Sequence, residues 1–185
     1  MTRLTQVLSA AALAAVLGTA PAAAQGAEFS LGGGVSLPLG DFGDASSTGW
    51  HGLAAVSFAP STFPLGFQLD GMYQRFGVDD GGIDLDLNTQ LIQGTANAIY
   101  KFKTSEDSQF RPYLIGGVGV YNFKAVGDDS PSDESNTEFG INAGAGFDIK
   151  VGSIGAFVEG RFHNVFADEN LNFIPITAGI RLGGN

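Results

Sequence analysis

Apolar and polar residues alternate along most of the chain after its first 25 residues, the spacing that puts successive side chains on opposite faces of a β-strand. In FSLGGGVSL (29–37), Phe29, Leu31, Val35 and Leu37 share one face, and Ser30, Gly32, Gly34 and Ser36 the other. The same division recurs in WHGLAAVSFA (50–59), LGFQLDGMYQRF (65–76) and TQLIQGTANAIYKFK (89–103). PYLIGGVGVYNFK (112–124) is apolar on both faces and small on each. EFGINAGAGFDIK (138–150) sets Phe139, Ile141, Ala143, Ala145, Phe147 and Ile149 against Glu138, Asn142, Asp148, Lys150 and three glycines. IGAFVEGRFHNVF (154–166) and FIPITAGIRLG (173–183) complete eight predicted strands.

The connections alternate as well. Those at 38–49, 77–88, 125–137 and 167–172 are long or polar, whereas those at 60–64, 104–111 and 151–153 are mostly shorter. An up-and-down barrel with an even number of strands predicts this asymmetry, with the termini and short turns in the periplasm and the long loops outside the cell. The polar face is mostly Gly, Ser, Asn, Gln and Thr, a poor surface for water but a suitable lining for a narrow lumen. The apolar face carries Trp50, Tyr73, Phe139 and Phe162 toward the long loops. Phe29, Phe58, Phe67, Tyr100, Phe102, Tyr113 and Phe147 lie toward the short turns. Two aromatic girdles flanking an apolar band predict an all-β, eight-stranded antiparallel up-and-down transmembrane β-barrel, not a soluble ligand-binding one.

Residues 1–24 stand apart from this pattern. Arg3, the apolar stretch from Leu8 to Leu17 and the small residues Ala22 and Ala24 predict a secretory signal peptide, leaving 25–185 as the barrel. No later run of 18 apolar residues offers a membrane helix. The chain has no cysteine, which excludes both a lipoprotein anchor and disulfide staples.

Three stretches, FRPYLIGGVGVYNF (110–123), FGINAGAGFDIKVGSIGAFVEGRFHNVF (139–166) and FIPITAGIRLG (173–183), carry a resemblance to a known family. The mature chain resembles the outer-membrane β-barrel domain proteins, the small eight-stranded group that includes the barrels of OmpA and OmpX. The resemblance implies residence in the cell outer membrane, contact with its lipid and lipopolysaccharide, and delivery by the barrel assembly machinery as a monomer. Such barrels usually close on an aromatic residue, whereas the last lipid-facing candidate here is Leu182.

Within VEGRFHNVF (158–166), Val158 and Phe162 face lipid, so Glu159, Arg161 and His163 point inward. Asp70 and Arg181 project into the same interior. An eight-stranded barrel is filled by its own side chains, and buried ions must be paired, so Asp70, Glu159, Arg161, His163 and Arg181 are expected to form a lumenal network that plugs it. The alternatives are a narrow pore and a lipid A-modifying outer-membrane enzyme. The latter needs a serine nucleophile beside a histidine, and near His163 the next residue on that face is Val165. His51 falls at the loop end of its strand, where a girdle or rim position without a partner is expected. LGGG and GGVGV are strand glycines with no following helix to form a phosphate cradle. No catalytic residue and no cofactor are expected, and the role is structural or one of surface interaction.

Charge adds one further feature. The chain carries a net charge of −10, and the four long connections hold twelve Asp or Glu and no Lys or Arg. This acidity disfavours nucleic-acid binding. It offers oxygen ligands to divalent cations bridging to lipopolysaccharide phosphates, with Asp79, Asp80, Asp84 and Asp86 of DDGGIDLD as the densest weak candidates. A divalent ion held by these loops stabilises the barrel by mass action, whereas monovalent salt only screens. Thermal unfolding in millimolar Ca²⁺ is expected to exceed that in NaCl of matched ionic strength by a modest margin; equal values would leave the loops as solvated turns.

Overall fold

The computed structural model of the chain describes residues 26–60, 64–77, 88–105, 108–126, 135–151, 154–167 and 171–183. Its strands are β1 (Ala27–Leu39), β2 (Gly49–Phe58), β3 (Gly66–Gly77), β4 (Asn88–Lys101), β5 (Phe110–Val126), β6 (Ser135–Val151), β7 (Ile154–Val165) and β8 (Leu171–Gly183). Every strand pairs antiparallel with its chain neighbours, and β8 returns to β1 with partners running from Glu28 and Gly183 to Leu39 and Asn172. The sheet is a closed eight-stranded barrel. Predicted and observed strand ends agree within three residues throughout.

Strand parity divides the side chains as the alternation requires. Leu31 (55% exposed), Val118 (61%) and Phe139 (73%) stand on the outside with Leu69, Ile92, Ile141, Phe147 and Ile180. Such exposure of large apolar groups is tolerable only against lipid. Trp50 and Tyr73 meet at the loop end with ring centroids 5.5 Å apart, and Tyr100 and Phe102 at the turn end at 5.1 Å. These pairs belong to the two girdles.

β5 required a correction. Tyr113 was expected in the turn-side girdle, yet it is 1% exposed and lies inside the barrel. Its parity is that of Ile115 and Tyr121, both buried, while Leu114, Val118 and Val120 face outward. Space for these inward rings comes from glycines on the neighbouring strand. A Cβ on Gly146 would meet the Tyr113 ring at 2.5 Å, and one on Gly144 would meet Arg161 Cα at 2.8 Å.

An apolar cluster lies at the loop end of the lumen. The connection between β1 and β2 contains one helical turn, α1 (Asp41–Ala45), which the alternation did not predict. Gly40, at φ 59° and ψ −144°, adopts a backbone conformation open mainly to glycine and turns the chain inward. Phe42 is thereby buried against Phe76, with ring centroids 5.1 Å apart, in a cluster with Leu91, Tyr121, Val165 and Phe173.

The outward face generates a direct test. Arg at Ile141, whose neighbours are lipid-facing Val118 across β5 and Phe139 along the strand, is expected to cost about 2–4 kcal/mol in unfolding from bilayers. Equal tolerance of Arg at Ile141 and at inward Asn142 would reverse the orientation.

Candidate functional site

The buried ionisable side chains of the described residues converge on the lumen. Because β3, β4, β5, β6, β7 and β8 each turn alternate residues inward, groups distant in sequence meet across a narrow interior. At its centre Arg161 Nη1 lies 2.8 Å from Asp70 Oδ2, while Arg161 Nε donates to Glu159 Oε1. All three residues are buried. Asp70 also accepts from Thr95 Oγ1 at 2.8 Å, Asn97 Nδ2 at 2.8 Å and Gln68 Nε2 at 3.0 Å. A buried carboxylate is stable when its lone pairs are occupied in this way.

The network continues toward the turn end through the residue that sequence reasoning misplaced. Tyr113 donates its hydroxyl proton to Glu159 Oε2 at 2.8 Å and accepts from Arg181 Nη2 at 3.0 Å. The Arg181 guanidinium carbon sits 5.1 Å from the Tyr113 ring centroid and 4.7 Å from that of Phe157, a favourable placement for a cation over aromatic faces. Arg181 Nη1 donates to Glu28 Oε1 at 2.9 Å, and its Nε lies 2.9 Å from Asp148 Oδ1 as an ion-pair contact without hydrogen-bond alignment. Lys101 Nζ reaches the same two carboxylates, at 3.3 Å and 3.0 Å. This second charged cluster borders a cavity of about 780 Å³ open toward the turn end.

Of the five residues expected to pair inside the barrel, Asp70, Glu159, Arg161 and Arg181 therefore lie on one continuous chain of contacts. His163 is hydrogen-bonded directly to none of these four. Its ring stacks on Phe173 with centroids 4.8 Å apart and 8° between planes, and its Nδ1 lies 2.9 Å from the Tyr121 hydroxyl. It belongs to the aromatic layer beneath Phe42.

His51 corrects a second expectation. It is not a rim residue without a partner but a buried lumenal one, 2.9 Å from Ser36 Oγ through Nδ1 and 2.9 Å from Thr177 Oγ1 through Nε2. Its parity with Leu53, Ala55 and Ser57 carried the signal. A Ser–His contact invites comparison with a nucleophile and its base, but the protons run the wrong way. Ser36 donates its single hydroxyl proton to Gln74 Oε1 at 2.6 Å. His51 Nδ1 is accordingly the donor to Ser36, which leaves Nε2 to accept from Thr177. A histidine that donates to the serine cannot abstract its proton. No group of three or more acidic, His or Cys side chains suited to a metal occurs among the described residues. Asp79, Asp80, Asp84 and Asp86 lie outside them.

A closed antiparallel barrel with a lipid-compatible exterior, two aromatic girdles and a polar interior is the architecture of a small outer-membrane protein. The model of the outer membrane protein beta-barrel domain family matches residues 9–181, and the chain belongs to that family. Its fold is similar to that of Neisserial surface protein A (TM-score 0.64, 20% identity, covering 84% of this chain and 96% of that one). The attachment invasion locus protein Ail of Yersinia pestis aligns with a TM-score of 0.53 at 15% identity, over 85% of this chain and 99% of Ail. The N-terminal barrel domain of Pseudomonas aeruginosa OprF does so with a TM-score of 0.52 at 14% identity, over 85% and 98%. At these identities the likeness is one of fold. No curated protein matches the sequence. The protein resides in the outer membrane.

Truncating Arg161 leaves Asp70 and Glu159 buried side by side with no cation between them. Arg161→Ala is expected to cost about 3–5 kcal/mol in unfolding, against little change for exposed Lys103→Ala, measured by urea titration in lipid vesicles.

Proposed function

We propose that this barrel is a non-catalytic surface protein of the outer membrane with a lumen closed to ions. The observation that carries the reading is the unbroken sequence of contacts from Asp70 on β3 through Arg161 and Glu159 on β7 and Tyr113 on β5 to Arg181 on β8. Above it, Phe42 and its apolar neighbours occupy the loop end. A hydrated ion crossing this interior must displace paired charges and a packed aromatic layer together. An enzymatic reading lacks a base for Ser36, and the Ser36–His51 pair lies inside the lumen, away from lipid acyl groups.

A role outside the barrel wall then falls to the loops. One structure of Ail is a complex with the heparin analogue sucrose octasulfate, a polyanion. The long connections of the present chain contain only acidic charges. Their favoured partners are cationic, or anionic surfaces bridged by divalent ions.

Planar-bilayer recording tests the closed lumen. The purified barrel is expected to give little or no steady current; stable openings of large conductance would establish the pore instead.

A further inference from the structure

The turn end of the lumen opens into the cavity of about 780 Å³ that the Glu28 and Asp148 cluster borders. Among its described lining residues four are cations, Lys101, Arg111, Lys150 and Arg181, and two are carboxylates, Glu28 and Asp148. The chain as a whole carries a net charge of −10, so a surplus of positive charge here runs against its composition. Lys101 and Arg181 each contact both carboxylates, at 2.9–3.3 Å. The four groups form a closed ring across the mouth of the lumen, and within it the carboxylates are neutralised.

Arg111 and Lys150 stand outside that ring. Both have inward parity: Arg111 comes two residues before buried Tyr113 on β5, and Lys150 two after Asp148 on β6. Arg111 pairs with Asp148 in the register, which makes Lys150 its diagonal neighbour, about 7–8 Å away and within joint reach of one ligand. The Lys150 backbone N–H donates to the Gln109 C=O at 3.0 Å and ties the two strand ends together. Toward β8, Gly155 separates Lys150 from Arg181, so the wall between these cations carries no side chain. Neither the Arg111 nor the Lys150 side chain has an ion-pair or hydrogen-bond partner among the described residues.

We infer that this cavity is a binding site for a small organic dianion entering from the turn end, with Arg111 and Lys150 as its charge-bearing contacts. Two surplus cations match two negative charges, and the neutralised ring behind them does not repel the ligand. Size favours an organic ligand, because the volume lies in the range of small-molecule pockets and exceeds what a bare inorganic anion fills. The carbon surfaces of Ile99 and Phe58 also line it. Carboxylate and phosphate groups share the required charge. In an up-and-down outer-membrane barrel the turn end faces the periplasm, which makes the ligand a periplasmic solute. The inference goes beyond a closed lumen, because the cavity lies on the turn side of Arg161. A conducting barrel would overturn the plug and leave this site standing.

The full barrel, folded in non-ionic detergent, is titrated at matched ionic strength with glycerol 3-phosphate, succinate, inorganic phosphate and neutral glycerol. Binding is read by isothermal calorimetry and by NMR shifts of the turn-end amides. Glycerol 3-phosphate and succinate are expected to bind and to shift amides of β5 and β6 near Arg111 and Lys150, the tighter of the two identifying the preferred anionic group; glycerol is expected to do neither. Arg111→Gln with Lys150→Gln should lower the affinity about tenfold or more. Arg75→Gln with Lys103→Gln removes the same amount of charge outside the cavity lining and should leave the affinity unchanged. The charge-keeping pair Arg111→Lys with Lys150→Arg should retain most of the binding, and heat-modifiability on gels verifies that each variant is folded. Binding of neither dianion, equal binding by the unaltered barrel and the Gln pair at 111 and 150, or an equal loss in both Gln pairs would overturn the site. Inorganic phosphate binding as tightly as the organic dianions would overturn the assignment to an organic ligand.

Discussion

Lipid offers no hydrogen bonds to a backbone, and that constraint shapes every other feature of this barrel. A strand edge left open in hydrocarbon would expose unpaired N–H and C=O groups along its length, so β8 must return to β1. Closure with eight strands then leaves an interior only wide enough for side chains. What lines that interior is consequently packed and buried, even though it is polar. Ser36, Gln74, Gln93, Thr95, Asn97 and Asn142 all lie within it. The usual relation between apolar core and polar surface is inverted.

Inversion makes pairing obligatory for the ions. Arg161 is held by two carboxylates, and Asp70 in turn occupies its oxygens with three neutral donors in addition to the guanidinium. Tyr113 is the hinge of the arrangement, since it connects the central triad to Arg181 and the cluster around Glu28 and Asp148. Glycines at 144 and 146 are the complement of these large groups, because a side chain there would occupy the volume of Arg161 or Tyr113. The sequence feature that looked like a weak, small-residue strand face is half of a packing relation.

The two ends of the lumen are finished differently. Toward the loops, α1 folds Phe42 back onto Phe76 and the stacked His163–Phe173 pair lies below. Toward the turns, the interior ends in charge pairs facing an open cavity. An apolar cluster at one end and charge pairs beside an open cavity at the other make the described part of the barrel asymmetric along its axis.

Strand positions, barrel class and the lipid-facing set were legible in the chain because a period of two is a local property, set by the geometry of each strand alone. Phe29, Leu31, Ile141 and Ile176 needed no knowledge of their neighbours to be placed outside. The inward direction of Asp70, Glu159, Arg161 and Arg181 followed from the same parity. Where both faces are apolar the signal vanishes, and Tyr113 was misplaced for that reason; His51 had a readable parity but sat near a strand end, where the rim competes with the lumen. Which inward groups touch was decided only by register and closure. Hydrogen bonding across β1, β2 and β3 brings Ser36 to His51 and Gln74, and the return of β8 adds Thr177. Partner choice inside a barrel depends on stagger between strands distant in sequence, and alternation within one strand contains no record of it.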